Sequence, residues 1–152
     1  MQPPDRLLQL LRQEEGLAKV LPDGSIVPYT DMAGYWTIGY GHRCTRYFGP
    51  IDQDGAETIL VADAQLAMSE AVRLSPVLAH FQNKLIAVSD FVFNLGSLAY
   101  ETSHLRKYIN AGEWQLAADE FPKWVYAAHK MVEDLIKRRA LERQIFLETD
   151  NG

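Results

Sequence analysis

The chain has 152 residues, of which 47% are apolar and 23% are charged. This balance is typical of one soluble folded domain and excludes a disordered, collagen-like or low-complexity protein. Fifteen Lys and Arg against twenty Asp and Glu give a formal net charge of -5, which argues against a general nucleic-acid binder. The single cysteine, Cys44, excludes an internal disulfide. We therefore expect a single domain over residues 1–152.

The N-terminal third predicts one helix and then a β-region. A start signal at Pro4-Asp5 is followed by an apolar stripe of leucines, which predicts a short helix that ends near Glu15, before Gly16. Residues 17–42 are rich in Val, Ile, Tyr, Trp and Thr and contain two turn signals. They predict two hairpins or a small three-stranded sheet.

Beyond Pro50 the spacing of the apolar residues becomes helical. The predicted helices cover residues 56–74, 83–95, 102–111, 114–121 and 132–147. Gly96 and Gly112 lie where C-caps are expected. The helix over 83–95 is apolar on nearly every side, so it should lie in the core. The sequence therefore predicts a mostly helical α+β domain with a small β-lobe, and a cleft between lobes as the ligand site.

The chain shows no targeting or membrane signal. Residues 1–16 carry several charges and lack the unbroken apolar core of a secretory signal. No stretch approaches the roughly 18 apolar residues that a transmembrane helix needs. We expect neither a signal peptide nor a transmembrane segment, no stable insertion into a membrane, and accumulation in the cytoplasm.

Glu15 is the first candidate for chemistry. It follows Leu11 by four positions, so it projects close to the apolar stripe of the first helix. Partial desolvation there would raise the pKa of its carboxyl and keep it protonated near neutral pH, as a general acid requires. Glu14 is an open alternative, since it follows Leu10 by the same spacing.

Asp31 and Thr37 are the other polar candidates. An Asp in a D-x-x-G turn usually bonds the backbone two residues on, and Thr is a common strand residue. Strand alternation places Thr37 on the opposite face from its two neighbours, with its hydroxyl toward a ligand or toward solvent. Taken singly, each residue has an ordinary structural explanation.

Several short motifs are informative because they occur together and in a fixed order along the chain. The first segments are Glu15-Gly16, Tyr29-x-Asp31 and Gly34-x-x-Thr37-Ile38-Gly39-Tyr40-Gly41-His42. The later ones are Asp90-Phe91-Val92-Phe93-Asn94-Leu95-Gly96, Leu105 to Gly112, Ala117 to Phe121, Trp124-Val125 and Arg138-Arg139-x-x-Glu142. Together they resemble the phage-type lysozymes, glycoside hydrolase family 24, over essentially the whole chain. The resemblance implies a lysozyme-like fold, in which a small N-terminal β-hairpin lobe and a larger helical lobe flank an active-site cleft.

The resemblance also implies an activity and a set of roles. It indicates a muramidase that hydrolyses the β-1,4 bond between N-acetylmuramic acid and N-acetylglucosamine in peptidoglycan, without a metal or cofactor. It makes Glu15 the catalytic acid, Asp31 the second carboxylate and Thr37 the third member of the set. Tyr29, Tyr40 and Asn94 are the expected substrate-binding residues, although such aromatic side chains also occur in cores. An inverting reaction is the expected outcome.

The implied biology is that of a phage or prophage endolysin. It would act as a monomer on bacterial peptidoglycan, bind no nucleic acid, and remain in the host cytoplasm until a holin gives it access to the periplasm or wall. Two alternatives stay open from the sequence. One is a lytic transglycosylase that leaves 1,6-anhydro ends, and the other is a peptidoglycan-binding or localisation module without turnover.

Two features depart from the family's pattern, and two further groups of residues are expected to carry no function. The separation of Glu15 and Asp31 is wide for the family and indicates a longer turn in the β-lobe, and the acidic balance predicts wall binding that is weaker or more dependent on salt. The histidines are too scattered for a metal site, and His42 should be a buried, hydrogen-bonded residue. The basic stripe of Lys137, Arg138, Arg139 and Arg143 is interpreted as a solvated helix face that pairs with Glu133 and Glu142.

Overall fold

The computed structural model describes residues 1–150. The chain forms two compact units, of which the first is Met1–Gln65 and the second begins at Leu66. The helices are α1 (Asp5–Glu15), α2 (Gln53–Leu74), α3 (Gln82–Leu95), α4 (Ser97–Glu101), α5 (His104–Asn110), α6 (Trp114–Ala118) and α7 (Glu133–Leu147). The strands are β1 (Tyr29–Thr30), β2 (Trp36–Ile38), β3 (His42–Arg43), β4 (Tyr126–Ala127) and β5 (Lys130–Met131). Short 3-10 helices cover Pro76–His80 and Phe121–Lys123.

Helix α1 forms and ends as its sequence predicts. Its leucines Leu7, Leu8, Leu10 and Leu11 are all buried. Gly16 follows with φ +67°, a conformation that costs glycine little, and its N–H donates to the Arg12 carbonyl. The helix therefore ends at Glu15, and the chain turns away directly after this carboxylate.

The β-region of the first unit is a three-stranded antiparallel sheet in the order β1-β2-β3. Tyr29 lies opposite Thr37 in one pair of strands, and Thr37 lies opposite Arg43 in the other. The preceding turn forms only isolated bridges, in which Ile26 pairs with Val20 and with Ile51. The small sheet is thus the correct alternative of the two that the sequence left open.

The second unit is built around α3, which packs on α7. Every residue from Leu85 to Val92 in α3 is buried, as the apolar segment predicts. Phe91 makes edge-to-face contacts with Tyr100, Phe121 and Trp124, at centroid distances of 6.2, 6.0 and 5.3 Å. Such pairs stabilise a core beyond their buried area.

The predicted ends of two helices are wrong. The segment 102–111 begins only at His104, where the Ser103 side chain caps α5, and a separate helix, α4, precedes it. Helix α6 ends at Ala118 rather than Phe121, because Pro122 follows in a short 3-10 turn. Gly96 is the C-cap of α3 as expected, and Gly112 follows the Ala111 cap of α5.

The resemblance to the family indicates a turn at residues 127–130, but the sequence predicts no strands on either side of it, where the structure has β4 and β5. The two loop residues of this hairpin, Ala128 and His129, have φ of +51° and +64°. Positive φ at both positions is typical of a type I′ turn, for which Asn-Gly is the usual signal. The sequence gives no such signal, so the hairpin could not be predicted from turn composition.

Candidate functional site

Glu15 is the last residue of α1 and is half-buried. A Cβ atom built on Gly41 would lie 2.6 Å from its Oε2. Real Cβ atoms do not approach oxygen this closely, so the backbone of Gly41 lies directly against the carboxylate. Gly41 also has φ +73°, which disfavours any other residue. The turn between β2 and β3 therefore contains glycine because it packs on Glu15.

Asp31 lies in the turn between β1 and β2. Its Oδ1 accepts hydrogen bonds from the backbone N–H groups of Ala33 and Tyr35, at 3.0 and 2.9 Å. Its own N–H donates to the Tyr35 carbonyl. The turn-forming role is thus real, but it uses only one carboxylate oxygen. Within residues 1–150, Oδ2 accepts no hydrogen bond and is available for other chemistry.

Thr37 occupies the central strand of the sheet. Its side chain is 4% exposed, and its hydroxyl donates to the Tyr35 carbonyl at 3.0 Å. The alternative in which this hydroxyl faces bulk solvent is therefore wrong. Because its single proton is used in this bond, the hydroxyl retains only acceptor capacity toward a ligand.

Tyr29 interacts electrostatically with both Glu15 and Asp31. Burial raises the pKa of Tyr29, and the negative charges of Glu15 and Asp31 raise it further. The phenol therefore lies in the field of both carboxylates. Tyr40, by contrast, is 8% exposed, and its hydroxyl accepts a hydrogen bond from Gln53 at 3.2 Å. This is the environment of a core residue, and a substrate contact by Tyr40 stays a prediction.

A bidentate ion pair supports α1 next to Glu15. Arg12 Nε and Nη2 donate to the two carboxylate oxygens of Glu57, at 2.8 and 2.7 Å. The hydrogen bond from Arg12 lowers the pKa of Glu57, and the Coulomb attraction of the guanidinium lowers it further. His42 Nδ1 lies 2.7 Å from Asp63 Oδ2 and is about one-third exposed, so the predicted hydrogen bond of His42 is confirmed although the ring is only partly buried.

Asn94 belongs to the second unit and is oriented by an arginine. Arg139 Nη2 donates to Asn94 Oδ1 at 2.8 Å and to Glu142 Oε2 at 2.9 Å. A guanidinium has no acceptor, so Asn94 must present its oxygen to Arg139. Its amide NH2 group is then directed elsewhere and can donate to a ligand.

The prediction that the basic stripe is a solvated helix face is wrong for Arg138 and Arg139, two of its four residues. Arg138 is 5% exposed and Arg139 is fully buried. Arg138 forms a bidentate pair with the buried Asp90, at 3.0 and 2.9 Å. Burial of these charges is tolerable because each arginine has partners, Asp90 in α3 for Arg138, and Asn94 in α3 with Glu142 in α7 for Arg139. The partners in α3 could not be inferred from the spacing within α7. The pairs of Lys137 with Glu133 and of Arg143 with Asp119 are exposed, as expected of a surface.

The pKa values of the buried Asp90 and Glu142 shift in opposite directions. Burial would raise the pKa of Asp90, but hydrogen bonds from Glu142 and Arg138 outweigh it and lower the pKa. Burial raises the pKa of Glu142 well above its usual range, and the neighbouring Asp90 adds to this.

The sequence interpretation missed the roles of Gly41 and Arg12, and of Asp90 as the partner of a buried arginine. Gly41 and Asp90 were visible only as members of motifs. Within the described residues, no group of three or more His, Cys, Asp or Glu side chains is arranged to hold a metal ion. Nor does any described helix combine the length and apolar character needed to cross a membrane.

Comparison with known proteins places these residues in a family. Residues 23–142 match the family described as phage lysozyme. An endolysin of Acyrthosiphon pisum secondary endosymbiont phage 1 is 35% identical over 145 residues, which cover 91% of this chain and 93% of that protein.

Two solved structures share the fold. The muramidase domain of SpmX from Asticaccaulis excentricus has a TM-score of 0.79 at 25% identity and covers 96% of this chain and 97% of its own. An endolysin from Escherichia coli O157:H7 phage FAHEc1 has a TM-score of 0.75 at 26% identity, with coverage of 97% and 94%. The matched segment contains Asp31, Thr37 and the buried arginines, and it leaves no doubt that the chain belongs to the phage lysozyme family.

Proposed function

We propose that this chain hydrolyses the β-1,4 bond between N-acetylmuramic acid and N-acetylglucosamine, with Glu15, Asp31 and Thr37 as its catalytic set. Membership of the family makes the protein a glycoside hydrolase that acts on peptidoglycan. The assignment of the three residues is supported by one observation above all. The turn that follows Thr37 packs its Gly41 backbone against the Glu15 carboxylate.

In this proposal Glu15 is the general acid. It donates its proton to the glycosidic oxygen as the bond breaks, and positive charge develops on the departing sugar in an oxocarbenium-like state. Asp31 stabilises that charge or directs water through its available Oδ2, since Oδ1 is held by the turn. Glu14 remains the alternative acid if Glu15 is not required.

Thr37 orders the attacking water. Its hydroxyl proton is donated to the Tyr35 carbonyl, so a water molecule would donate one O–H to Thr37 and the other to Asp31. That water would attack from the face opposite the leaving group and invert the anomeric centre. Nuclear magnetic resonance of the first product formed distinguishes an α-anomer, expected for inversion, from a β-anomer, which would mean retention.

The decisive experiment is mass analysis of the fragments released from purified peptidoglycan. We expect reducing fragments that contain one added water, and their absence with Glu15→Gln, which removes the proton donor and preserves shape. Asp31→Asn and Thr37→Ala should lose rate, Asp31→Asn more severely. Native turnover by Glu15→Gln would make Glu14 the next candidate, and 1,6-anhydro ends would contradict hydrolysis altogether.

The role in lysis is a proposal of its own. The related protein from the aphid-symbiont phage is an endolysin, which supports release of phage from a host cell as the biological task. In this proposal the chain acts as a monomer, waits in the host cytoplasm, and reaches the wall when a holin opens the membrane. Induced expression should lower the optical density of a culture only when a holin is expressed as well. Prompt lysis without a holin would contradict this route.

A further inference from the structure

Arg43 extends the row of side chains that contains Thr37. In antiparallel strands, residues directly opposite each other project from the same face. Tyr29 lies opposite Thr37, and Thr37 lies opposite Arg43, so the three residues form one row across the sheet. Neighbouring backbones in such a row are about 5 Å apart. Arg43 therefore lies one strand beyond Thr37, on the same face.

The guanidinium of Arg43 is held in place by stacking. Its Cζ lies 3.8 Å from the centroid of the Tyr35 ring, and Tyr35 is 50% exposed. Stacking occupies the flat face of a guanidinium and leaves its N–H edge available for a bidentate partner. Arg43 is itself exposed and forms no ion pair with any residue in the range 1–150. Within the described residues it is thus a preoriented charge that no carboxylate neutralises in an ion pair.

The surroundings make this charge distinctive. Residues 32–51 contain Arg43 and Arg46 and no Asp or Glu, although the whole chain carries a formal charge of -5. An acidic protein thus has two arginines in a segment that contains no carboxylate between Asp31 and Asp52, and Arg43 is the one that lies at the end of the row. A carboxylate is the partner that matches both the charge and the planar, two-donor edge.

We propose that Arg43 is a substrate-recognition residue that binds a carboxylate carried by the glycan. This inference rests on the proposed function, because it takes the face of Tyr29 and Thr37 to be the substrate-binding face. Peptidoglycan offers two sources of that chemistry. One is a free carboxylate of the peptide attached to muramic acid, and the other is the lactyl carboxylate of a muramic acid that has lost its peptide.

Arg46 provides a matched control within the same segment. Its Cζ lies 5.2 Å from the centroid of the Tyr47 ring, and it carries the same charge. It follows β3 in the chain and does not pair with Thr37. Arg43→Gln and Arg46→Gln therefore remove equal charge, and only the first removes a member of the row.

The experiment compares kcat/KM on three substrates. These are intact peptidoglycan, peptidoglycan whose carboxylates have been converted to amides with carbodiimide and ammonia, and glycan strands stripped of peptide by an amidase. Arg43→Gln should lower kcat/KM about tenfold on intact peptidoglycan, the usual effect of losing one charge-assisted bidentate contact, and less than twofold on the amidated form. Arg43→Lys, which keeps the charge but not the planar edge, should give an intermediate loss.

The stripped strands identify the source of the carboxylate. A loss on them that is larger than the loss on intact peptidoglycan assigns the lactyl group, because that carboxylate is free only where the peptide has been removed. No loss on them assigns the peptide. An equal loss by Arg43→Gln on intact and amidated substrate, or an equal loss by Arg46→Gln, would overturn the proposal. Failure of the catalytic assignment is seen separately, as turnover by Glu15→Gln, and does not depend on the ratio of rates between substrates.

Discussion

Among single residues, Gly41 differs from Gly16, Gly24 and Gly34 in the atoms that a Cβ at its position would meet. Several glycines of the first unit have positive φ, but a Cβ atom would meet nothing within 4 Å at Gly16, Gly24 or Gly34. At Gly41 the Cβ would meet the Glu15 carboxylate. The residue is therefore constrained twice, by its backbone conformation and by the approach of a functional group.

Gly41→Ala should therefore reduce activity more than stability alone explains. Positive φ costs an alanine about 1–2 kcal/mol, and the added methyl group also forces the carboxylate of Glu15 to move. A shift of Glu15 by about 1 Å is expected to lower kcat about 100-fold. Thermal denaturation and peptidoglycan turnover of the purified variant measure the two effects.

Gly24→Ala is the matched control for this substitution. Gly24 has φ +89° and no atom within 4 Å of the built Cβ, so only the backbone term applies. It should lose stability by about 1–2 kcal/mol and retain turnover. Equal losses of turnover in the two variants would show that the contact with Glu15 does not matter.

Between elements, the ion pair of Arg12 and Glu57 joins α1 to the first turns of α2. The pKa of Glu57 is lowered in the folded protein, so folding is favoured by its ionised form. The contribution is fully present above the unfolded pKa, near 4.3, and is lost as the pH falls through the lower folded value. Because the side chains are 37% and 30% exposed, we expect only about 1 kcal/mol.

Glu57→Gln should therefore lower the stability at pH 7 and make little difference at pH 3. Chemical denaturation across this range measures the difference from the native protein. Glu133→Gln is the control, since its pair with Lys137 is exposed at 81% and 72% and should contribute nothing measurable. A constant effect of Glu57→Gln at all pH values would show that the pair acts by packing rather than by charge.

The packing of α3 on α7 depends on an ion pair that is buried, unlike the partly exposed pair of Arg12 and Glu57. Asp90 is fully buried and Arg138 nearly so, and removal of one partner leaves an uncompensated charge. Asp90→Leu should cost about 3–5 kcal/mol, whereas Asp90→Leu combined with Arg138→Met should cost less, because no charge is left without a partner. Denaturation of the single and double variants gives the comparison.

The exposed ion pair of Arg143 and Asp119 is the control, because Arg143 lies in α7 as Arg138 does. Arg143 Nη2 donates to Asp119 Oδ1 at 2.9 Å, with the side chains 38% and 53% exposed. Asp119→Leu should leave the free energy of unfolding close to that of the native protein, because an exposed ion pair contributes little. If Asp90→Leu were no more harmful than this, burial would not be the source of its effect.

Across the whole molecule, sequence patterns predicted the helices, because helix formation depends on residues that are close together in the chain. The leucine spacing predicts α1, and the apolar run predicts the buried α3. The burial of Arg138 and Arg139 could not be predicted in the same way. Their partners in α3 are far away in the chain, and charge on a helix face indicates solvent unless such a partner is known.

The candidate site shows the same limit. The order of the motifs predicts Glu15, Asp31 and Thr37 as site residues, but their contacts follow from the turns. Only the structure shows that Gly41 packs on Glu15 and that the turn occupies one oxygen of Asp31. The β4–β5 hairpin was missed because Ala128 and His129 adopt a conformation that their side chains disfavour.

The net charge of the whole molecule leads to a prediction about salt. A formal charge of -5 repels an anionic wall, and the repulsion is long-range at low ionic strength. Raising the salt from 0.01 to 0.15 M shortens the screening length from about 30 Å to about 8 Å. Activity on intact peptidoglycan should therefore rise over this range. Amidated peptidoglycan has lost its carboxylates, so activity on it should change little.

Arg43 acts at hydrogen-bonding distance, so it should change the rate without being the cause of the increase in activity with salt. A short contact is screened less than the field of the whole chain, so Arg43→Gln should lower the rate on intact peptidoglycan at every salt concentration while the rise is retained. Initial rates measured from 0.01 to 0.15 M for both proteins and both substrates provide the test. A rate that falls steadily with salt in the native protein would mean that attraction by the positive segment 32–51 outweighs the net charge during encounter with the wall.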